Sequence, residues 1–278
     1  QDGRAGGLTR VLLDTRRGNQ NIDAAKCGHG GLSHFVHLGL LAASLPTWGR
    51  LPGDAWMGLD LLGGWVLLVI SVLFNICALY APAYLVLRPE RDHRIFVTCY
   101  LAFLGLASFL AQAQHPGLLW VAMESMTLTS APLIYFNRNR HSLEATWKYL
   151  VIGSVGIALA LLGTFFVAFA AHLGGVDEPL LFARLLQNAP LLSRPWLRAG
   201  FVLTLVGYGT KMGLAPLHAW KPDAYGETPG IVGAILAGGV TSCAFLALLR
   251  IFAVTAAAGE LAFARELLLG FGLLSMTW

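Results

Sequence analysis

Residues 59–87 read LDLLGGWVLLVISVLFNICALYAPAYLVL. Asp60 is the one formally charged side chain in the run, and apolar residues follow one another without period-two alternation. A helix needs roughly 20 apolar residues to cross a hydrocarbon core ~30 Å thick, so the run is long enough to span it. A β-barrel strand would alternate, and this one does not.

Working outward, the pattern repeats. Apolar stretches follow at 95–113, 118–136, 147–173, 197–220 and 231–254, and another begins near Leu261. Upstream lies a shorter one at 35–45. About seven or eight spans are expected, forming an all-α polytopic transmembrane helical bundle. Composition agrees: 56% of residues are apolar and 12% charged, about half the charged share of a soluble domain. Mean hydropathy is +0.64. Such a chain lacks the polar surface a water-soluble fold requires, and lipid supplies the missing solvent. The eight Trp suit the two membrane interfaces.

Residues 1–31 are polar and carry no predicted structure. Residues 32–278 read as one transmembrane helical domain. The first residue is not Met and the last ones, 273–278, lie within an apolar run, so both ends read as cut and the domain as truncated at its C-terminus.

The connections are short and polar, as in Arg88–Arg94 and Asn137–His141. The longest, 174–195, contains a candidate surface helix at 180–186 with Arg184 on its wet side. On alternate spans one side collects Arg88, Arg91, Arg94, Arg138, Arg140, Lys148 and Lys221. The other collects Arg50, Arg184, Arg194, Arg198, Arg250 and Arg265, while the 112–116 loop has no Lys or Arg. The positive-inside bias puts the first side in the cytoplasm, with the protein in the inner (cytoplasmic) cell membrane. The net charge of +4 is scattered through loops, so no nucleic-acid partner is expected.

Cys27, Cys77, Cys99 and Cys243 form no CxxC pair. They read as buried small hydrophobes. Cys27, His29, His34 and His37 cluster in sequence, but at no metal-binding spacing, so no metal site is predicted. With no GxGxxG turn either, the chain is expected to hold no cofactor.

Two ionisable residues interrupt the apolar spans. Glu124 sits in WVAMESMTLT (120–129) and Lys211 in GYGTKMGLAP (207–216). A charge at the bilayer centre costs ~2.5–3.5 kcal/mol, so both should face the bundle interior and approach each other across adjacent helices. Opposite charges there make either a structural ion pair or a proton relay. Lysine suits a relay because its proton affinity shifts readily on burial. Pro216, which cannot donate to the carbonyl of Met212, and Gly207, Gly209 and Gly213 predict a helix broken around 211–216. Broken helices recur at membrane ion sites. His218 lies seven residues past Lys211, about two turns along the same helical face, and its ordinary pKa near 6.5 suits proton passage. Lys148 opens the span after Glu124, either as a relay member or as a lysine snorkelling to the interface.

The stretch KMGLAPLHAWKPDAYGETPGIVGAILAGGVTSCAFLALLR (211–250) resembles the proton-conducting membrane transporter family. That family includes the antiporter-like subunits of complex I, Mrp antiporter subunits and membrane subunits of energy-converting hydrogenases. WKPDAYGETP (220–229) is most similar to the hydrogenase-4 component F type. MESMT (123–127) and WKYLVIGS (147–154) fit in the same order. The likeness runs from about Leu59 to Trp278.

The resemblance implies that Glu124 is the family's intramembrane glutamate and Lys211 the lysine of its first broken helix, with Lys148 at the start of the intervening helix. Where the family often has Lys or His in the next helix, this chain has Ser242. Water held by Ser242 and Thr241 would then complete the route. The expected function is proton translocation in a redox-driven complex of hydrogenase-4 or NADH:quinone oxidoreductase type. Its partners would be other membrane subunits, lipid and protons. A Mrp-type sodium/proton antiporter or an inorganic-carbon uptake subunit is the alternative, and a non-conducting structural anchor is another.

Overall fold

The computed structural model describes residues 39, 41–42, 45–49, 55–176 and 180–277. The segment 1–31, Cys27 and its neighbouring histidines, and most of the 35–45 stretch lie outside the described residues. Within them the protein is an all-α, multi-pass membrane bundle, with no strand beyond one bridge between Met57 and Ala113.

The first four long helices start where the sequence supplies a cap. Helix α1 (Leu61–Val86) begins at Asp60, whose carboxylate accepts from Gly63 N at 3.0 Å. Helix α2 (His93–Gln112) begins at Asp92, which accepts from Arg94 N at 2.9 Å. Helix α3 (Pro116–Ile134) has Pro116 in its first turn, where a missing N–H costs nothing. Helix α4 (Arg140–Leu173) carries a reciprocal cap: Asn139 accepts from Ser142 N at 2.6 Å, and Ser142 accepts from Asn139 N at 3.0 Å. At 34 residues α4 is about 51 Å long, so part of it must stand outside the hydrocarbon. A short helix α5 (Phe182–Gln187) buries Phe182 and Leu185 and leaves Arg184 half-exposed.

Helix α6 (Arg194–Met212) is followed by the short α7 (Trp220–Glu227). Then α8 (Gly230–Ile235) widens into a π turn at Leu236–Val240 and continues as α9 (Thr241–Thr255). A second wide turn, Ala256–Glu260, leads into α10 (Leu261–Thr277).

Among the described residues five helical segments are long and apolar enough to cross a membrane, fewer than the runs in the sequence suggest. Two things account for the difference. The 197–220 stretch yields α6, which carries Arg194, Arg198 and Lys211 and lies among other helices rather than against lipid. The two last runs form a single 48-residue segment, Gly230–Thr277, bent where Gly259 takes φ 85°.

The most extensive helix pair joins α4 to α6. A Cβ added to Gly207 would come within 2.6 Å of the Ala160 nitrogen and the Gly156 carbonyl. Small residues let two backbones approach in lipid, where packing replaces the hydrophobic effect as the driving force. Gly207→Leu is therefore expected to destabilise the bundle by about 3 kcal/mol, the upper range for overpacking a filled core. Unfolding in detergent titrated with dodecyl sulfate measures this. A wild-type midpoint would mean that the helices do not meet there.

At the end of α1 opposite Val86, the Arg250 Nη2 atom of α9 lies 2.6 Å from Asp60 Oδ1 and donates to Ala111 O at 2.9 Å; Nη1 donates to Ala113 O. Counting charges along the sequence treats Arg250, near the end of the 231–254 run, as a marker of one side of the membrane. In the structure it is 4% exposed and serves as an internal clamp joining α1, α2 and α9.

Candidate functional site

Lys211 stands in the last turn of α6, where exposed carbonyls favour a cation. Gly213, at φ 78° and ψ 41°, ends the helix. Leu214 N donates to Gly209 O at 2.9 Å and Gly213 N to Thr210 O at 3.2 Å, the two bonds of a left-handed C-terminal cap. The resumed chain adds two more bonds to the carbonyls of this last turn. Trp220 Nε1 donates to Thr210 O at 2.9 Å, and Lys221 Nζ to Met212 O at 2.8 Å. Ala215 N donates to Ser275 Oγ of α10 at 2.9 Å, which ties the break to the last helix.

The helix thus ends before Pro216 is reached. Pro216 is exposed and follows the stop rather than forcing it. The end at Met212 also removes the helical spacing that would set His218 two turns along the face of Lys211. His218 is half-buried in the irregular stretch between α6 and α7, where its carbonyl accepts from Lys221 N at 2.9 Å.

The Lys211 side chain is 0% exposed. Its Nζ donates to Thr127 Oγ1 of α3 at 2.6 Å and lies 5.1 Å from the centre of the Tyr149 ring of α4. Gly153 of α4 leaves the space that Nζ occupies, since a Cβ there would collide with it. Thr127 donates in turn to Met123 O at 2.9 Å. Tyr149 Oη and Ser130 Oγ are 2.7 Å apart. The lysine pocket is therefore walled by neutral hydroxyls and one aromatic face.

Glu124 is on α3, three residues before Thr127 and on the same helical face. Its Oε1 accepts from Ser154 Oγ of α4 at 2.7 Å, while Oε2 is buried with no hydrogen-bond partner in the protein. Among the described residues no ion pair joins Glu124 to Lys211. Each is held by a hydroxyl instead: Glu124 by Ser154 of α4, and Lys211 by Thr127, one helical turn past Glu124 on α3.

Lys148 belongs elsewhere. It is 43% exposed near the start of α4, 2.6 Å from Asp223 Oδ2 of α7 and 2.8 Å from Glu144 Oε1. It lines a surface cavity of about 220 Å³ with both carboxylates, and it anchors the second half of the broken helix to α4. Thr241 and Ser242 follow the π turn and are half-buried. Thr241 Oγ1 faces the Tyr225 hydroxyl of α7 without closing a direct hydrogen bond; both oxygens are buried.

Thr127, Ser154, Tyr149 and Tyr225 are not singled out by sequence reasoning. All four fall within stretches that carry the family resemblance, and Thr127 also sits at i+3 from Glu124; those are the signals that could have brought them forward. Tyr149 is overshadowed by its neighbour Lys148, which points the other way. Among the described residues no group of His, Cys, Asp or Glu is arranged to hold a metal ion.

Comparison with known proteins gives consistent results. Residues 113–277 match the family described as NADH:quinone oxidoreductase/Mrp antiporter, TM. A hydrogenase-4 component F homolog from Methylacidiphilum infernorum is 35% identical over 72% of this chain and 44% of its own length. An NADH-quinone oxidoreductase subunit N from Desulforudis audaxviator is 36% identical over 72% of this chain and 38% of its own. The chain thus spans less than half the length of these curated relatives. Among solved structures, a chain of respiratory complex I from Thermus thermophilus superposes with TM-score 0.66 at 26% identity, covering 87% of this chain and 52% of that one. A chain of an archaeal membrane-bound sulfane sulfur reductase (TM-score 0.73, 18% identity, covering 95% and 57%) shares the fold. So does a chain of the Mrp complex from Dietzia (TM-score 0.64, 19% identity, covering 89% and 46%).

Proposed function

Because this chain belongs to the NADH:quinone oxidoreductase/Mrp antiporter transmembrane family, we propose that it is a proton-translocating subunit of a redox-driven complex, of hydrogenase-4 or NADH:quinone oxidoreductase type, in the inner (cytoplasmic) cell membrane. Partner subunits supply the redox centres. One observation carries the reading: an enclosed lysine beside a glutamate, each held by a hydroxyl and not by the other. A structural ion pair requires contact, because desolvating two charges is offset only by close geometry. A relay requires a separation that a small movement can change.

In this mechanism Lys211 holds its proton while the Glu124 carboxylate is near. A shift of α3 relative to α6, imposed by a neighbouring subunit, weakens that field, and the amine releases the proton. Two discrete arrangements are needed, both biased by the partner. Water bound at the buried oxygens of Tyr225, Thr228 and Thr241 carries the proton onward past Ser242. The cap at Gly213 and the bonds from Trp220 and Lys221 keep the broken end rigid around it.

Glu124→Gln tests the reading. The amide oxygen keeps the bond from Ser154, so only the charge is lost. Pumping by the whole complex in inverted vesicles, followed with a pH-sensitive dye, should fall by at least about tenfold, less than the ~10²–10⁴-fold of a group that itself transfers the proton, because Glu124 acts through Lys211. Wild-type pumping in the assembled variant would overturn the proposal. A Mrp-type exchanger would instead show sodium-dependent proton movement without an electron donor.

A further inference from the structure

A second feature lies away from the lysine pocket, between the start of α2 and the end of α3. A cavity of about 400 Å³ opens there, within the size range of small-ligand sites. Its walls divide into two chemistries. Arg91 and Arg138 line one part; Ile95, Phe96, Pro132 and Phe136 line the other. Ile95 and Pro132 are exposed, so the apolar part opens onto the surface that lipid covers, whereas the arginines belong to the polar connections.

Both arginines are set in place by the fold. Arg91 Nη2 donates to Asn137 O at 2.6 Å, which brings its guanidinium across to the end of α3. Its Nε is buried and makes no hydrogen bond; the nearest carboxylate oxygen, Glu90 Oε1, is 3.7 Å away. Arg138 ends the turn Tyr135–Asn137 in a left-handed conformation, φ 48° and ψ 37°, which is uncommon for a residue with a side chain. Asp92, the acidic residue lining the cavity, is already committed: its Oδ1 caps α2 through Arg94 N and Ile95 N. The surrounding connections carry Arg88, Arg91, Arg94, Arg138 and Arg140 against Glu90 and Asp92, which leaves an excess of positive charge.

We propose that this cavity is a binding site for an anionic phospholipid of the cytoplasmic leaflet, its phosphate between Arg91 and Arg138 and the start of its acyl chains along Ile95 and Pro132. The positive-inside bias places these connections on the cytoplasmic side, where anionic lipids attract basic groups. Guanidinium groups suit phosphate because their donors are planar and forked. A free phosphate would satisfy the arginines but not the apolar wall, and therefore lipid is the occupant. Lipid binding here does not depend on the Glu124–Lys211 relay.

The test uses the full-length protein in its complex, purified in mild detergent, with bound lipid read by native mass spectrometry. Phosphatidylglycerol should be retained and phosphatidylcholine should not. Arg138→Gln should weaken phosphatidylglycerol binding about fivefold, and Arg91→Gln with Arg138→Gln about 25-fold, from ~1 kcal/mol per basic residue at the membrane surface. The single variant guards against a folding defect, because Arg91 also tethers Asn137. Arg184→Gln, at the other end of the bundle, should leave binding unchanged. Four results would each overturn the proposal: equal retention of phosphatidylcholine, unaltered binding in both arginine variants, an equal loss in Arg184→Gln, or displacement of the lipid by millimolar inorganic phosphate.

Discussion

Lys211→Met should abolish proton pumping while the complex still assembles, and Lys211→Arg should abolish it too. Met retains most of the side-chain length and fills the space beside Gly153, so the α3–α4–α6 packing survives. It loses the titratable amine. The loss in rate should be on the order of a hundredfold or more, the usual worth of a positioned proton-transfer group. Arg fails for two separate reasons. It does not release its proton in a protein, and the pocket already leaves no room for a Cβ at Gly153 beside Nζ, still less for a planar guanidinium. A structural ion pair predicts the reverse: Arg would preserve activity, and Met would strand Glu124 and impair assembly. The two readouts, dye-monitored pumping and recovery of the intact complex, separate these cases. Wild-type pumping in Lys211→Arg would remove Lys211 from the route altogether.

How far the sequence revealed this site can be judged residue by residue. The helical, membrane-spanning class follows from runs such as 59–87, because an apolar run of that length is at home only in lipid. The break in α6 is legible from Gly213 and Pro216 together, although the structure assigns the stop to the glycine. The burial of Lys211 and half-burial of Glu124 follow from the cost of exposing them to lipid. Their actual partners do not. Thr127, Ser154 and Tyr149 are ordinary helix residues whose importance depends on which faces of α3, α4 and α6 meet, and the weak period of all-apolar helices does not encode that. The same blindness affects Arg250. Sequence position makes it look like a marker of membrane sidedness, and only the approach of α1 and α2 turns it into a clamp. The helical spacing of His218 errs in the opposite direction: i+7 assumes a helix that the same stretch of sequence ends.

Arg250→Leu should lower the stability of the bundle by about 3 kcal/mol, the lower end of the range for removing one member of a buried charge pair. The low end applies because Asp60 is 30% exposed and regains some water when its partner goes. The remaining loss comes from Ala111 O and Ala113 O, which accept from the guanidinium at the end of α2 and would be left buried without it. Asp60→Asn isolates the charge. Asparagine caps a helix about as well as aspartate, so α1 keeps its first turn and the arginine keeps both carbonyls. That variant should cost at least as much as Arg250→Leu, about 3–5 kcal/mol, because it leaves a guanidinium that is 4% exposed without its counter-charge. Dodecyl sulfate titration in mixed detergent, followed by circular dichroism, measures both. If Arg250→Leu unfolded with the wild-type midpoint, the clamp would contribute nothing and α9 would be held by apolar packing alone. If Asp60→Asn cost only about 1 kcal/mol, near the net worth of one hydrogen bond, the two carbonyl bonds rather than the ion pair would be what fastens α9 to the ends of α1 and α2.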